Sequence, residues 1–324
     1  METPMSSLSP AIHEEPVKNS LPSPSSLLKQ AISFFFAHWQ IFAGISLLPM
    51  LSVVPTLFFS EKTAGGSIGI FILTILGRVL SFVAYIALLV VLSAEGNPEG
   101  GIMGAYRTGI GKLGSYVWIN IAGFFAMLGG LMLLIVPGLF LALALSFGQY
   151  VLMMEGRRGT GGLAYSWYYV QGFWWQILWR LLFFLVIVFL AVAAFAILGA
   201  FTFFQAEFAR GSQNLPFFDF VLNLLGTGIL TPVGLLYEYH IYCALRNIKA
   251  EKIPTETQIH SLRRRIRICG WIGTVGIVLA ITTFIIVFLR LETGGSGFLT
   301  DLEQWIRSGG ATSVPSVIFS IIGI

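Results

Sequence analysis

Charge is the scarcest commodity in this chain. Asp, Glu, Lys and Arg make up 10% of its 324 residues, against roughly 25% in a soluble domain. Apolar residues reach 56% before any of the 36 glycines is counted, and mean hydropathy is +0.83. So few charges exclude a water-soluble fold of this size, and an integral membrane protein is expected. Cysteine is nearly absent. Cys243 and Cys269 form no disulfide framework and are read as small buried hydrophobes. The four histidines, His13, His38, His240 and His260, are scattered, whereas a metal site needs several ligands converging. There is no H-E-x-x-H, no Walker loop and no paired acidic motif in an apolar run. The expectation is a protein without catalytic function, cofactor or metal. Residues 1–24 lack the apolar stretch of a signal peptide. Rich in Ser and Pro, they read as a disordered cytoplasmic tail.

What is abundant is apolar sequence in runs long enough to cross a bilayer, which takes about 20 residues. Seven runs are expected to span: Trp39–Phe59, Ile68–Ser93, Val117–Val136, Leu139–Met154, Trp174–Ala200, Phe217–Leu245 and Ile268–Leu289. The fourth is short, so the count is six to seven. Pro137-Gly138 separates it from the third and reads as a tight turn. A single bent helix is the competing reading. The combined run is too long for one crossing, which favours the hairpin.

Lys and Arg set the orientation. With the N-terminus inside and seven alternating spans, thirteen of the 19 fall on inside segments and four outside, with Arg78 and Arg180 within spans. The expectation is a multi-pass protein of the cell membrane, N-terminus cytoplasmic and C-terminus external. The basic run at 263–267 sits directly before a span. It reads as an anchor on anionic lipid headgroups rather than a nucleic-acid patch.

Three inside-to-outside entries look alike: LLKQAISFFFAHWQIFAGISLL from Leu27, IMGAYRTGIGKLGSYVWINIAGF from Ile102 and GLAYSWYYVQGFWWQILWRLLFF from Gly162. Each has an alanine in its first turn, Ala31, Ala105 or Ala164, followed two residues on by Ser33, Arg107 or Ser166. An aromatic cluster comes next, and then a span. The reading is three quasi-repeated helical hairpins, each opened by a short helix in the membrane interface. Aromatic side chains favour that level because they join an apolar body to a polar tip. Trp39, Tyr165, Trp167, Trp174, Trp175 and Trp179 are the expected girdle. In the third entry Tyr165, Tyr169, Gly172, Gln176 and Arg180 fall at helical spacing, as one polar stripe, with Gly172 permitting a bend or close packing.

The Pro137-Gly138 turn, the run Gln149-Tyr150-Val151-Leu152-Met153-Met154-Glu155-Gly156, Gly162-Leu163-Ala164-Tyr165-Ser166 with Gly172-Phe173-Trp174 behind it, and Leu236-Tyr237-Glu238-Tyr239 through Arg246 carry a resemblance. Over roughly residues 25–255 the chain resembles the membrane domain found on some bacterial glycerophosphoryl diester phosphodiesterases, and related stand-alone membrane proteins of unknown function. In that family the hydrolase is a separate soluble barrel, which takes about 250 residues. No such segment is present here, so the resemblance implies a membrane role without that activity. It divides the chain into a tail (1–24), a six-span domain (25–255), a basic loop with an extra span (256–291) and an external tail (292–324).

Ionisable groups inside spans are the functional candidates, because lipid makes them expensive. Arg180 lies about 9 Å below Trp174, and Glu238 about 12 Å below Arg246, at 1.5 Å per residue. The similar depths predict an Arg180–Glu238 pair with His240 and Gln176 nearby, either fixing helix register or forming a ligand or proton site. Arg78 has no acid at its depth; reaching toward Asp219, facing a water-filled cavity and snorkelling all fit it. Gly129-Gly130, and Gly226-x-Gly228 before Thr231-Pro232, read as close packing and a proline kink, or as the broken helix of a transporter. Thr300-Asp301-Leu302-Glu303 fits a capping box opening an amphipathic helix on the outer surface. Together these point to a bundle that binds membrane lipid or a protein partner, with small-solute or lipid transport, then intramembrane catalysis, as alternatives. Homo-oligomers stay open, and nucleic acid is not an expected partner.

Overall fold

The structure, a computed structural model, describes residues 20–51, 64–210, 225–250 and 254–307. Every regular element in them is helical: α1 (Pro24–Ala37), α2 (Trp39–Leu51), α3 (Ala64–Ser93), α4 (Gly101–Leu133), α5 (Ile135–Leu145), α6 (Gly148–Glu155), α7 (Thr160–Val170), α8 (Trp174–Arg210), α9 (Thr231–Lys249), preceded by a π-helical turn (Gly226–Leu230), and α10 (Glu256–Arg307). The fold is an all-α bundle. Five stretches are long and apolar enough to cross a membrane: Phe71–Ser93, Gly101–Leu133, Ile135–Glu155, Trp174–Phe195 and Glu256–Phe288. They make the chain a membrane-embedded protein. The expected spans Trp39–Phe59 and Phe217–Leu245 lie partly outside the described residues, which hold α2 and α9 of them.

Local sequence explains where the helices start and stop. The Ser23 side chain accepts the Ser26 amide at 3.3 Å and Pro24 occupies the first turn, so α1 is capped as it begins. It ends at His38, and α2 follows at once. After α7, Gly172 takes φ +93°, a left-handed conformation that glycine adopts freely, and the chain bends there into α8. The first and third entries therefore each open with a separate helix, α1 or α7, before the next one. The second does not: α4 runs unbroken from Gly101 to Leu133, which corrects the expectation of three like hairpins. The alanines singled out in the repeats, Ala31, Ala105 and Ala164, are all fully buried.

The turn between the third and fourth spans lies at Leu134, whose backbone is extended, and not at Pro137-Gly138. Pro137 falls in the first turn of α5, where a missing N–H costs nothing. Gly138 packs against Leu131 and Gly130, which closes the hairpin tightly.

α10 lies along α4 at close range. A Cβ at Gly129 would run into the Cys269 carbonyl oxygen, and one at Gly273 into the Phe125 carbonyl oxygen. Two glycines, one per helix, thus set the approach of the axes, as small residues do where helices meet in lipid. α10 also packs on α7. It continues as one helix through Thr300, so that the Thr300 capping box opens no helix of its own. The core gathers around α6, α7, α9 and the second half of α3, with Tyr150, Tyr237, Tyr242, Phe147 and Leu89 fully buried.

Candidate functional site: a polar cavity at Glu238

In this apolar bundle lies a cavity of about 350 Å³ with five polar residues in its lining, Tyr85, Asn120, Ser146, Gln149 and Glu238, and with Phe124 and Met127 among its apolar walls. α3, α4, α6 and α9 each contribute one of the polar groups, and Ser146, just after α5, supplies the fifth. Gln149, on the first turn of α6, organises one wall. Its Oε1 accepts from the hydroxyls of Tyr85 and Tyr116, each at 3.3 Å, and its Nε2 donates to Tyr85 at 3.0 Å. Asn120 donates to the Tyr116 carbonyl at 2.9 Å, and Ser146 to the Leu143 carbonyl at 2.9 Å, so both side chains are tied to their own helices. Asn120 and Phe124 are exposed and mark an open rim on α4.

Glu238 comes from α9. Its Oε2 lies 3.1 Å from the Tyr150 hydroxyl, which also stands 3.1 Å from the Leu235 carbonyl. The described lining residues include no Lys, Arg or His. The carboxylate therefore faces the cavity without a cationic partner among the described residues. One layer away, a second carboxylate is held in the opposite sense. Glu155 of α6 accepts from Tyr242 of α9 at 2.7 Å and from Tyr169 of α7 at 2.8 Å, and Arg157 Nε lies 3.2 Å from its other oxygen. Tyr150 and Tyr242 stack at 5.8 Å. So α6 sends a tyrosine to a glutamate of α9, and α9 returns one. Burial first, then the bond to Glu155 and its negative charge, push the Tyr169 phenol well above its ordinary value of 10.0.

The expected Arg180–Glu238 pair is not formed. Arg180 is buried and turns away to backbone oxygens: Nε and Nη2 to Pro22 O at 2.9 and 2.7 Å, Nη2 to Leu21 O at 2.6 Å and Nη1 to Gln176 O at 2.7 Å. The Tyr237 hydroxyl donates to the Arg180 carbonyl at 3.0 Å. Gln176 is beside it, accepting the Leu21 amide at 3.5 Å. Arg180 and Gln176 thus hold the stretch preceding α1 against α8. Similar depth did not imply a shared face. His240 joins neither group; its ring lies edge-on to Phe34, 6.4 Å away, and its Nε2 is buried with no partner among the described residues. Arg78 is exposed on α3 and does not line the cavity. The expected stripe from Tyr165 to Arg180 is broken at Gly172, where α7 ends.

The girdle divides in two. Trp39, Trp175 and Trp179 are 54%, 66% and 61% exposed, as lipid-facing residues are. Trp167 and Trp174 instead pack edge-on against Phe140 at 6.1 and 6.0 Å, and Tyr165 carries the Arg157 guanidinium 3.7 Å above its ring. Trp39 also borders an apolar cavity of about 620 Å³, with Phe35, Phe36, Leu47, Gly228 and Ile229. The π-helical turn lies at this apolar cavity and not at the polar one. The Thr231 hydroxyl closes that turn on the Gly226 carbonyl at 2.9 Å.

Among the described residues, no three His, Cys, Asp or Glu side chains converge as a metal site would require. Sequence reasoning reached Glu238 but assigned no role to Tyr85, Asn120, Ser146, Tyr150 or Glu155. Gln149, Tyr150 and Glu155 stood together in one motif, and that clustering of polar groups in an apolar run was the available signal. Comparisons with protein-family models, curated proteins and solved structures found no match. What the fold and the cavity define is a class: an all-helical membrane bundle with an open polar cavity in its side.

Proposed function

We propose that this chain is a non-catalytic membrane protein that binds, in the chamber at Glu238, a small molecule or headgroup carrying a cation or several hydrogen-bond donors. One observation carries the reading: a carboxylate facing a polar cavity with only a tyrosine hydroxyl beside it. A charge taken out of water without a partner is costly. Tyr85, Gln149, Asn120 and Ser146 add hydroxyl and amide groups suited to orienting a donor-rich guest. An amine-bearing lipid headgroup and a small cationic solute share this chemistry. The Lys and Arg distribution supports the cell membrane with a cytoplasmic N-terminus and an external C-terminus. The resemblance to the phosphodiesterase membrane domain supports a membrane role. Transport is the second reading, favoured by the open rim at Asn120 and Phe124.

The test is charge-selective labelling. In a background with Cys243 and Cys269 replaced by alanine, S146C is treated with a cationic and an anionic methanethiosulfonate. The cationic reagent is expected to react faster by roughly tenfold, the low end of electrostatic focusing in clefts, and Glu238→Gln should equalise the two. Equal rates with Glu238 intact, or no reaction with either reagent, refute the proposal.

A further inference from the structure

A second cavity, of about 130 Å³, lies where α10 begins, with Arg157, Tyr165, Glu256, His260 and Arg263 among its walls. It is separate from the chamber at Glu238 and shares no lining residue with it. Two arginines reach it from different elements. Arg157 comes from the α6–α7 connection and is held by the Glu155 carboxylate and the Tyr165 ring. Arg263 comes from the second turn of α10. Its Nε is buried and has no hydrogen-bond partner among the described residues. Its guanidinium rests on α7 at Gly161, where a Cβ would stand 2.9 Å from Nη2. A buried guanidinium N–H left unmatched among the described residues points to an acceptor from outside them.

Level in the membrane narrows the choice of acceptor. The first turns of α10 carry His260, Arg263, Arg264, Arg265 and Arg267, and the apolar run begins at Ile268. This boundary is where lipid phosphates lie. The cavity has about four times the ~30 Å³ that one water occupies in the liquid, room for a phosphate group. Its lining holds two fixed cations and one carboxylate, Glu256, and so favours an anion of low charge; His260 adds a donor. Arginine suits a phosphate because its fork matches two oxygens at once.

We propose that this cavity is a phosphate-binding site, with Arg157 and Arg263 as the paired donors, taking either a lipid phosphate or a soluble one. The full chain, in neutral detergent, is titrated in two arms, with dioleoylphosphatidylglycerol and with inorganic phosphate, and bound equivalents are counted by native mass spectrometry. One tight equivalent is expected in at least one arm. The lipid arm alone identifies a headgroup; the phosphate arm identifies a free ion. The double substitution Arg157→Gln with Arg263→Gln should weaken that equivalent by about tenfold or more, the scale of one charged hydrogen bond. Arg264→Gln with Arg265→Gln removes the same charge from exposed positions and should weaken it less than about threefold, as screened surface charges do. Equal losses in the two double variants, or no binding in either arm, overturn the proposal. If the first double variant does not fold, Arg263→Lys keeps the charge without an Nε–H. It should weaken binding at least about threefold, and unchanged binding overturns the proposal equally.

Discussion

Replacing Arg180 by methionine separates the two accounts of this buried charge. Methionine keeps most of the apolar stem and removes every donor. Four short contacts disappear, to Pro22 (twice), Leu21 and Gln176. The Gln176 carbonyl already serves the helix of α8 and loses little. The carbonyl of buried Leu21 is left bare, at about 1–2 kcal/mol for a buried polar group stripped of its partner, and the carbonyl of exposed Pro22 loses less. The expected loss of stability is therefore about 1–3 kcal/mol, nearer 1 if these bonds are as weak as the ~0.6 kcal/mol average seen between helices in membranes. Reversible unfolding in mixed detergent micelles, followed by helical circular dichroism, measures it. Glu238→Gln is expected to cost little alone. The double variant should show a coupling below about 0.5 kcal/mol, as independent sites do. Exchanging the charges, Arg180→Glu with Glu238→Arg, should rescue nothing. A coupling above about 1 kcal/mol, or recovery in the exchanged variant, would refute the assignment of Arg180 to the backbone before α1.

Gly129→Ala places a methyl against the Cys269 carbonyl, a backbone group that cannot rotate away. It should cost about 1–3 kcal/mol in the same unfolding assay, as overpacking does, while Gly111→Ala, with open space around it, should be neutral or stabilising by up to ~1 kcal/mol. Equal effects at the two positions would sink the claim that glycine sets the α4–α10 approach. Tyr169 lies outside the candidate spans, and its phenol is held protonated above its ordinary 10.0. A raised folded-state value means that its stabilisation is complete below pH 10 and is lost as pH climbs past that value toward the folded one. Tyr169→Phe should flatten the alkaline limb of stability against pH, and an unchanged limb would show that the phenol contributes no linkage there.

Membrane character was legible because composition alone excludes a soluble surface, and helix was legible because lipid leaves the backbone few alternatives. The buried alanines Ala31, Ala105 and Ala164 were found by their shared place in three similar entries. The bend at Gly172 was found because glycine there invites a positive φ. What failed had a common cause: linear spacing fixes depth and not azimuth. Arg180 and Glu238 share a depth and face different partners. The turn at Leu134 was misplaced because proline marks the first turn of a helix as readily as the loop before it. Likeness to the other two entries suggested a separate entry helix before Val117, yet α4 packs on α3 and α10 and runs on as one helix. The tyrosines of the chamber carried no distinct signal, since in an aromatic-rich chain a tyrosine is as often an interfacial anchor as a hydrogen-bond donor.

The two embedded charges differ in how their capacity is used, and that difference separates framework from site. Arg180 presents five donor hydrogens on a rigid fork, and backbone oxygens on two sides occupy it. Adding a ligand there would mean breaking the seat of the segment before α1. Glu238 has two oxygens able to accept about four hydrogen bonds, and it meets one hydroxyl, Tyr150, which Leu235 also engages. Its neighbour Glu155 shows what a fully used carboxylate looks like in the same bundle, with two tyrosines and an arginine around it. The two acids are linked through the stacked rings of Tyr150 and Tyr242. Glu155 thus joins α6, α7 and α9 and gives Glu238 a firm mount, while Glu238 keeps its unused acceptor capacity toward the cavity. Two chemically identical side chains thus differ in how far their acceptor capacity is filled, because of what surrounds each one.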